Sequence, residues 1–411
     1  MRSGTTSSVY AFTGDLLDAG PARVVDELAG KGYSALSIAT VYHAARDLLP
    51  HNPARVVAHR TEGVHYYLPD IGSYHGVLYP PSVVEPTAHR FADVTAAVSA
   101  GGLDWQAWTV YLHNCRLAEQ HQEFAIQNAF GDVYLTDLCP SSDAVRDYAL
   151  SLTADVARLA PSVIVAESLH HAGFGHGYHH ERAFVELGAV GEFLLSLCFC
   201  DACRAKAAAR DVDAEGVAAA VRSSVRARLA GDAAPEILSL EALGELCGGA
   251  LLKYLTVREQ TVVDLAAACT ATARGAGVPF GFIDQTGALK GYMSGAPTGA
   301  LAADDAWQLG IDPVGVAAAV DTYAVLAYAR DVGRVGDDIS AYTRQIAGAA
   351  ELRCVLRHGG VDYEGPANLA AKVEAARSSG ASAVDFYHYG LMPLAGLDAA
   401  ATAIVDPAAE Q

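Results

Sequence analysis

The segment from Pro161 to Cys203, PSVIVAESLHHAGFGHGYHHERAFVELGAVGEFLLSLCFCDAC, carries the densest set of reactive side chains in the sequence. A short β-branched apolar run stops at a carboxylate, Glu167, and a glycine-rich loop follows with His170, His171, His176, His179 and His180. Cys198, Cys200 and Cys203 then crowd together. A second apolar run, VPFGFID, also closes on a carboxylate, Asp284. Two carboxyl groups delivered by buried strands to polar loops suit acid–base chemistry: apolar surroundings raise the pKa of one, and a neighbouring Arg or His keeps the other ionised. Three thiolates at short range suit a structural zinc, which takes a fourth tetrahedral ligand. Cys139 in DLCPSS is the first choice, with Cys115 or a nearby His as alternatives. The loop histidines can ligate a catalytic metal, orient a substrate, or line a lid. Their spacing is not H-E-x-x-H, so zinc-protease logic does not apply. Gly173, Gly175 and Gly177 favour a shaped loop that closes over a ligand.

These groups need elements to hold them. Eight apolar or β-branched runs (SVYAFTGD, YSALSIATVYHA, LDWQAWTVYLHN, PSVIVAES, VPFGFID, DTYAVLAYA, ELRCVLRHG, SAVDFYHYG) alternate with Ala-rich helical segments. That alternation predicts an α/β fold, a (β/α)8 TIM barrel. Residues 1–411 then form a single barrel domain with two insertions, a long β2–β3 excursion at about 44–100 and a helical insertion after strand 4 at about 170–276, both longer than ordinary connections. The rival, a doubly wound open sheet, lacks the expected phosphate loop, because TGDLLDAG after the first run matches neither G-x-G-x-x-G nor G-x-x-x-x-G-K-[ST]. His43, His113, Glu167, Asp284, Arg357 and His388 stand at the ends of runs, and a closed barrel brings such ends to one pocket.

With 411 residues, 52% of them hydrophobic, the chain can bury a large core. A formal charge of -19 repels a phosphate backbone, so nucleic acid is not an expected partner. No apolar run is long enough to span a bilayer, and the N-terminus lacks an apolar signal core, so no membrane association and a cytoplasmic location are expected. Eight cysteines in 411 residues do not make a disulfide framework. A large acidic barrel with a helical insertion is compatible with a homo-oligomer.

The succession DLCPSSDAVRDY, VIVAES, LCFCDACRAKAAA and ASAVDFYHYGLM resembles glycoside-hydrolase-type (β/α)8 barrels, and Cys198, Cys200 and Cys203 are similar to the zinc-binding cluster of family 42 β-galactosidases. The resemblance spans roughly residues 130–205 and the last strand. It implies that Glu167, at the end of strand four, is the acid/base. Ala166 replaces the Asn that usually precedes it, and strand seven ends in Arg357 and His358 where a nucleophilic Glu is usual.

Glycosidic cleavage needs one protonated and one ionised carboxyl, about 5–5.5 Å apart in retaining enzymes and about 6.5–9.5 Å apart in inverting ones. Glu167 takes the acid/base role and Asp284 the nucleophile or base role, acting on an oligosaccharide or glycoconjugate. Trp105, Trp108, Tyr66, Tyr67, Tyr74 and Tyr79 are candidate sugar platforms and rim contacts. His43, His113, Asn114, His170, His176, Tyr328, Tyr387, Arg357 and His388 are candidate substrate-binding residues. Arg357 either clamps a substrate carboxylate or pairs with Glu167 or Asp284. No organic cofactor is expected. Two other readings compete: a metal-dependent sugar isomerase, epimerase or lyase on the same barrel, and a carbohydrate-binding or regulatory protein on a barrel whose Glu167 and Asp284 face away from the pocket.

Overall fold

The computed structural model describes residues 6–175, 182–231 and 237–405. Its eight barrel strands are β1 (Ser8–Ala11), β2 (Ala35–Tyr42), β3 (Asp104–Val110), β4 (Ile164–Glu167), β5 (Phe280–Asp284), β6 (Thr322–Leu326), β7 (Glu351–Arg357) and β8 (Ala383–Tyr387). Each pairs in parallel with its successor, and β1 pairs with both β2 and β8, so the sheet closes on itself. This is a (β/α)8 barrel, with all eight predicted runs in it. All eight residues of β2 and all five of β5 are buried, as strands covered on both faces require. The first run is shorter than its apolar pattern: the chain turns helical at Thr13, and Asp15, expected at a strand end, lies in the helix Thr13–Ala19.

Helices α1 (Pro21–Gly30), α2 (Phe91–Ala100), α3 (Asp143–Ala157), α4 (Gly249–Gly275), α5 (Pro313–Ala319), α6 (Val332–Ile346), α7 (Pro366–Ser378) and α8 (Leu394–Ile404) cover the barrel. The α6 sequence shows why such a helix forms. Asp331 caps it by accepting from the Arg334 N–H at 2.6 Å. Val335, Ile339, Tyr342 and Ile346, spaced three and four apart, bury one stripe. Each such side chain contributes about 1.5–3 kcal/mol on burial.

The barrel interior is layered. Arg353 grips Asp385 through Nε and Nη2 at 2.8 and 2.7 Å, and Asp385 also accepts the Ser8 N–H at 2.7 Å. The Ser37 hydroxyl lies 3.0 Å from that of Ser8 and donates to Gln106 at 2.8 Å. Above this polar layer lies an aromatic one in which Tyr10, Phe12, Tyr42 and Tyr387 surround Trp108, with ring centroids 4.7–5.8 Å from its own.

Two long connections decorate the carboxyl end. Between β2 and α2, the antiparallel hairpin Ala45–Leu48 with Val57–Arg60 is tied down by Arg60, which bonds Asp15 at 3.0 Å and Asp47 at 2.7 Å. Farther along, buried Asp155 of α3 accepts from Tyr67 at 2.8 Å and Tyr74 at 3.2 Å, so these tyrosines anchor the excursion rather than offering a sugar platform. Between β4 and β5 the helices Gly188–Ser196, Asp201–Ala208, Ala214–Leu229 and Leu240–Cys247 pack with α4 around a second, smaller core.

Candidate active site at the carboxyl end of the barrel

Glu167 ends β4, opposite Val110 of β3 in register. The alternation of the strand turns its side chain inward, onto the aromatic layer. Trp108 Nε1 donates to Glu167 Oε2, and Gln285 Nε2, one residue beyond β5, lies 2.9 Å from Oε1. Gln285 Oε1 in turn meets Ser168 Oγ at 3.1 Å and His170 Nε2 at 2.8 Å. Ser168 holds a left-handed φ of 54°, a cost of order 1–3 kcal/mol of the kind found where a loop aims functional groups. Glu167 itself is half-buried. Burial pushes its carboxyl up to about 7, against the downward pull of the Trp108 hydrogen bond and the His113 charge. It therefore exchanges a proton near neutrality, as a general acid/base must.

Around Glu167 stand Tyr10, Tyr42, Tyr328 and Tyr387. Burial first, and the Glu167 charge among the further causes, raises all four phenols, so they present neutral O–H groups. Tyr42 and Tyr387 hydroxyls are 3.4 Å apart. His43 stacks on Tyr42 with centroids 4.2 Å apart and meets the His113 ring edge-on at 4.8 Å. His113 Nδ1 is 3.0 Å from Asp137 Oδ1. Burial would lower His113, but Asp137 and the charges of Glu62 and Glu167 carry it up to about 9, so it is cationic at neutral pH. Arg357 lies over the Tyr328 ring at 4.4 Å and the Tyr292 ring at 5.2 Å. Its Nε is 2.6 Å from the fully buried carboxylate of Asp362. Asp362 compensates the guanidinium charge and Nη1 donates to the Tyr292 carbonyl at 3.0 Å, so Arg357 is not a free carboxylate clamp.

Glu167, His43, His113, His170, Tyr328 and Arg357 thus gather at one mouth. Other expected residues stand elsewhere. Asp284 is fully buried, and its oxygens accept from Tyr323 at 2.6 Å, Tyr342 of α6 at 2.7 Å and the Thr286 N–H at 2.9 Å. A carboxylate between the sheet and an outer helix, with three donors, joins β5 to its neighbours and presents no oxygen to the mouth. Trp105 packs edge-on against Phe91 of α2 at 5.8 Å, outside the barrel; three residues on, Trp108 is the inward indole. Asn114 caps the helix Cys115–Gln120, accepting from the Leu117 N–H at 3.0 Å, so its oxygen is committed to the backbone. His388 is completely buried under Phe12, 4.6 Å between centroids, and burial holds it neutral. His176, with His179 and His180, lies outside the described residues. The sequence reading passed over Gln285, whose only signal is its place directly after a strand end, and Asp137, which no spacing marks.

Cys139, Cys198, Cys200 and Cys203 form one buried cluster with all four Sγ atoms within 4.8 Å of one another. From Cys139 the other sulfurs lie at 3.4, 3.6 and 3.6 Å. A tetrahedral ion with bonds of about 2.3 Å separates its sulfurs by roughly 3.8 Å, so the four thiols fit a metal with little movement. Cys115, the alternative fourth ligand, is not in the cluster. The site joins the β3–α3 connection to the helical insertion. Among the described residues it is the one convergence of three or more His, Cys, Asp or Glu ligand atoms. No helix among those residues is long and apolar enough to cross a membrane.

No protein-family model matches the sequence, and no curated protein does. Solved structures are similar in fold. The β-galactosidase from the psychrophilic Marinomonas ef1 superposes with a TM-score of 0.54 at 10% identity, over 97% of this chain and 59% of that one. The α-L-fucosidase isoenzyme 2 from Paenibacillus thiaminolyticus gives 0.53 at 10% identity, over 97% and 48%. The chain therefore spans about half to three-fifths of those enzymes, and it shares with them the (β/α)8 barrel fold.

Proposed function

We propose that the protein is a glycoside hydrolase that cleaves an oligosaccharide or glycoconjugate, with Glu167 as general acid/base. The observation that carries this reading is a strand-four carboxyl at the barrel mouth, raised to about 7 and set among neutral tyrosine hydroxyls beside an inward indole. Aromatic rings with hydroxyl rims suit the flat faces and hydroxyl groups of a sugar. Protonated, Glu167 donates to the leaving oxygen; ionised, it then takes a proton from water. The ionised second role falls to Asp137, held in an ion pair by His113, because Asp284 is closed off. The four cysteines take a structural zinc that supports the short strand Val133–Leu138, which carries Asp137, and has no part in bond cleavage. The metal-dependent isomerase reading needs the His-rich loop and Asp284 around a divalent ion; the Asp284 oxygens are taken by Tyr323, Tyr342 and the Thr286 N–H, and His176, His179 and His180 lie outside the described residues.

A panel of aryl glycosides of differing sugar and anomer tests this function. Turnover of at least one substrate, lost in Glu167→Gln, supports it. Failure of the folded wild-type protein to release aglycone from every substrate would overturn it.

A further inference from the structure

The contacts between Glu167 and His170 contain a proton count that the activity alone does not require. His170 Nδ1 lies 2.8 Å from the His171 carbonyl, which only accepts, so Nδ1 must carry a proton. Its Nε2 lies 2.8 Å from the atom of Gln285 placed as oxygen. If that atom is oxygen, Nε2 must be protonated too and the ring is a cation. His170 is buried, and burial lowers its pKa despite the opposing pull of the His171 carbonyl hydrogen bond, the Asp284 charge, the Gln285 contact and the Asp137 charge, so the ring is neutral with one N–H. Turning the ring over would replace both nitrogens by carbons and lose both contacts. Turning the Gln285 amide by half a turn exchanges its nitrogen and oxygen and moves no heavy atom.

The turned amide satisfies every group. Its two N–H bonds point to His170 Nε2 and Ser168 Oγ, and its oxygen faces Glu167 Oε1 at 2.9 Å. Two oxygens at that distance require a proton between them, and only a protonated Glu167 supplies it. Glu167 Oε2 still accepts from Trp108. We infer that Gln285 is a positioning residue that holds Glu167 in its protonated form, its amide fixed by neutral His170 so that its oxygen accepts the Glu167 proton. The inference deepens the reading of Glu167 as the acid and rests on it. When Glu167 ionises, the amide must turn back and lose its fit to His170, so the Gln285–His170 pair favours the acid form. The other groups facing Glu167 are Trp108, the His113–Asp137 pair and the phenols of Tyr10, Tyr42, Tyr328 and Tyr387. Those facing His170 are Asp284, Asp137 and His171.

The test needs no substrate. Side-chain carboxyl ¹³C resonances of labelled protein are titrated, with Glu167 assigned by its loss in Glu167→Gln, alongside the His170 ring nitrogens and the Gln285 amide ¹⁵N. Below the Glu167 midpoint the wild-type His170 should carry its proton on Nδ1, and the Gln285 amide signal should shift with the same midpoint as the Glu167 carboxyl. Gln285→Met removes the acceptor at similar volume. One hydrogen bond to the acid form, worth about 0.5–1.5 kcal/mol, corresponds to roughly a two- to tenfold rise in the Glu167 acid dissociation constant. An unchanged or smaller constant in that variant, or an Nε2–H tautomer in the wild type, overturns the inference. The tautomer is read on unmodified protein, so the test survives a variant that fails to fold. Absence of glycosidase turnover together with these titrations would defeat the functional reading alone.

Discussion

Asp284→Leu separates structure from chemistry at the two strand-end carboxylates. The substitution removes a fully buried group that accepts from the Tyr323 and Tyr342 hydroxyls and the Thr286 N–H. Each buried donor left without a partner costs about 1–3 kcal/mol, so three cost roughly 3–9 kcal/mol. Relief from burying a carboxylate and the gain from an apolar isobutyl group offset part of this, leaving a net loss of about 3–5 kcal/mol. Asp284→Asn keeps one acceptor, and the two hydroxyls can rotate to accept from its amide, so it should lose only about 1–2 kcal/mol. Urea unfolding followed by tryptophan fluorescence measures the difference. With a slope of about 3 kcal/mol/M, the Leu variant should unfold at least roughly 1 M earlier, with the Asn variant close to wild type. Asp284→Asn should also retain most of the wild-type turnover per folded molecule. A fully stable Asp284→Asn protein with turnover reduced a thousandfold would refute this reasoning and return Asp284 to the reacting pair.

Other outcomes follow from the same geometry. Activity should fall on the alkaline side with a midpoint near 7, as Glu167 loses the proton it donates, measured as kcat/KM against pH. Trp108→Phe removes the hydrogen bond that lowers Glu167, so this limb should move to higher pH. Both Glu167 (about 7, against 4.5 for an ordinary Glu) and His113 (about 9, against 6.5) hold protons more tightly when folded. Their contribution to stability is complete below pH 4.5 and 6.5 respectively and is lost as pH rises through 7 and 9, so the melting temperature should decline across that window. Asp137→Asn should reduce turnover at least a hundredfold while the protein stays folded by circular dichroism. Metal analysis should find one zinc per chain, and Cys203→Ser should lower both its occupancy and the melting temperature.

The eight strands were legible because each is a compact apolar run between helical segments, and eightfold alternation has few other architectures. The direction of individual side chains was not. When both faces of a strand are buried, as along β2 and β5, the period-two contrast that separates inside from outside disappears. That loss of phase explains the choice of Trp105 with Trp108, and the pairing of Asp284 with Glu167, although β5 turns its last side chain toward α6. Asn114 caps a helix where a substrate contact is expected, because a helix N-cap and a ligand-binding amide at a strand end have the same sequence appearance. Asp137 reaches the mouth through tertiary placement that no local pattern records, and Gln285 is marked only by its place directly after β5. The cysteines were readable because Cys198, Cys200 and Cys203 are close in sequence, and Cys139 joins them only through packing of the insertion against the β3–α3 connection.

The most direct measurement of the central claim is the turnover of an active aryl glycoside by Glu167→Gln, compared with wild type at the same folded concentration. Removal of the proton donor should lower kcat/KM by about 10²–10⁴-fold, with the melting curve essentially unchanged. A folded Glu167→Gln protein that cleaves the substrate at the wild-type rate would contradict the account.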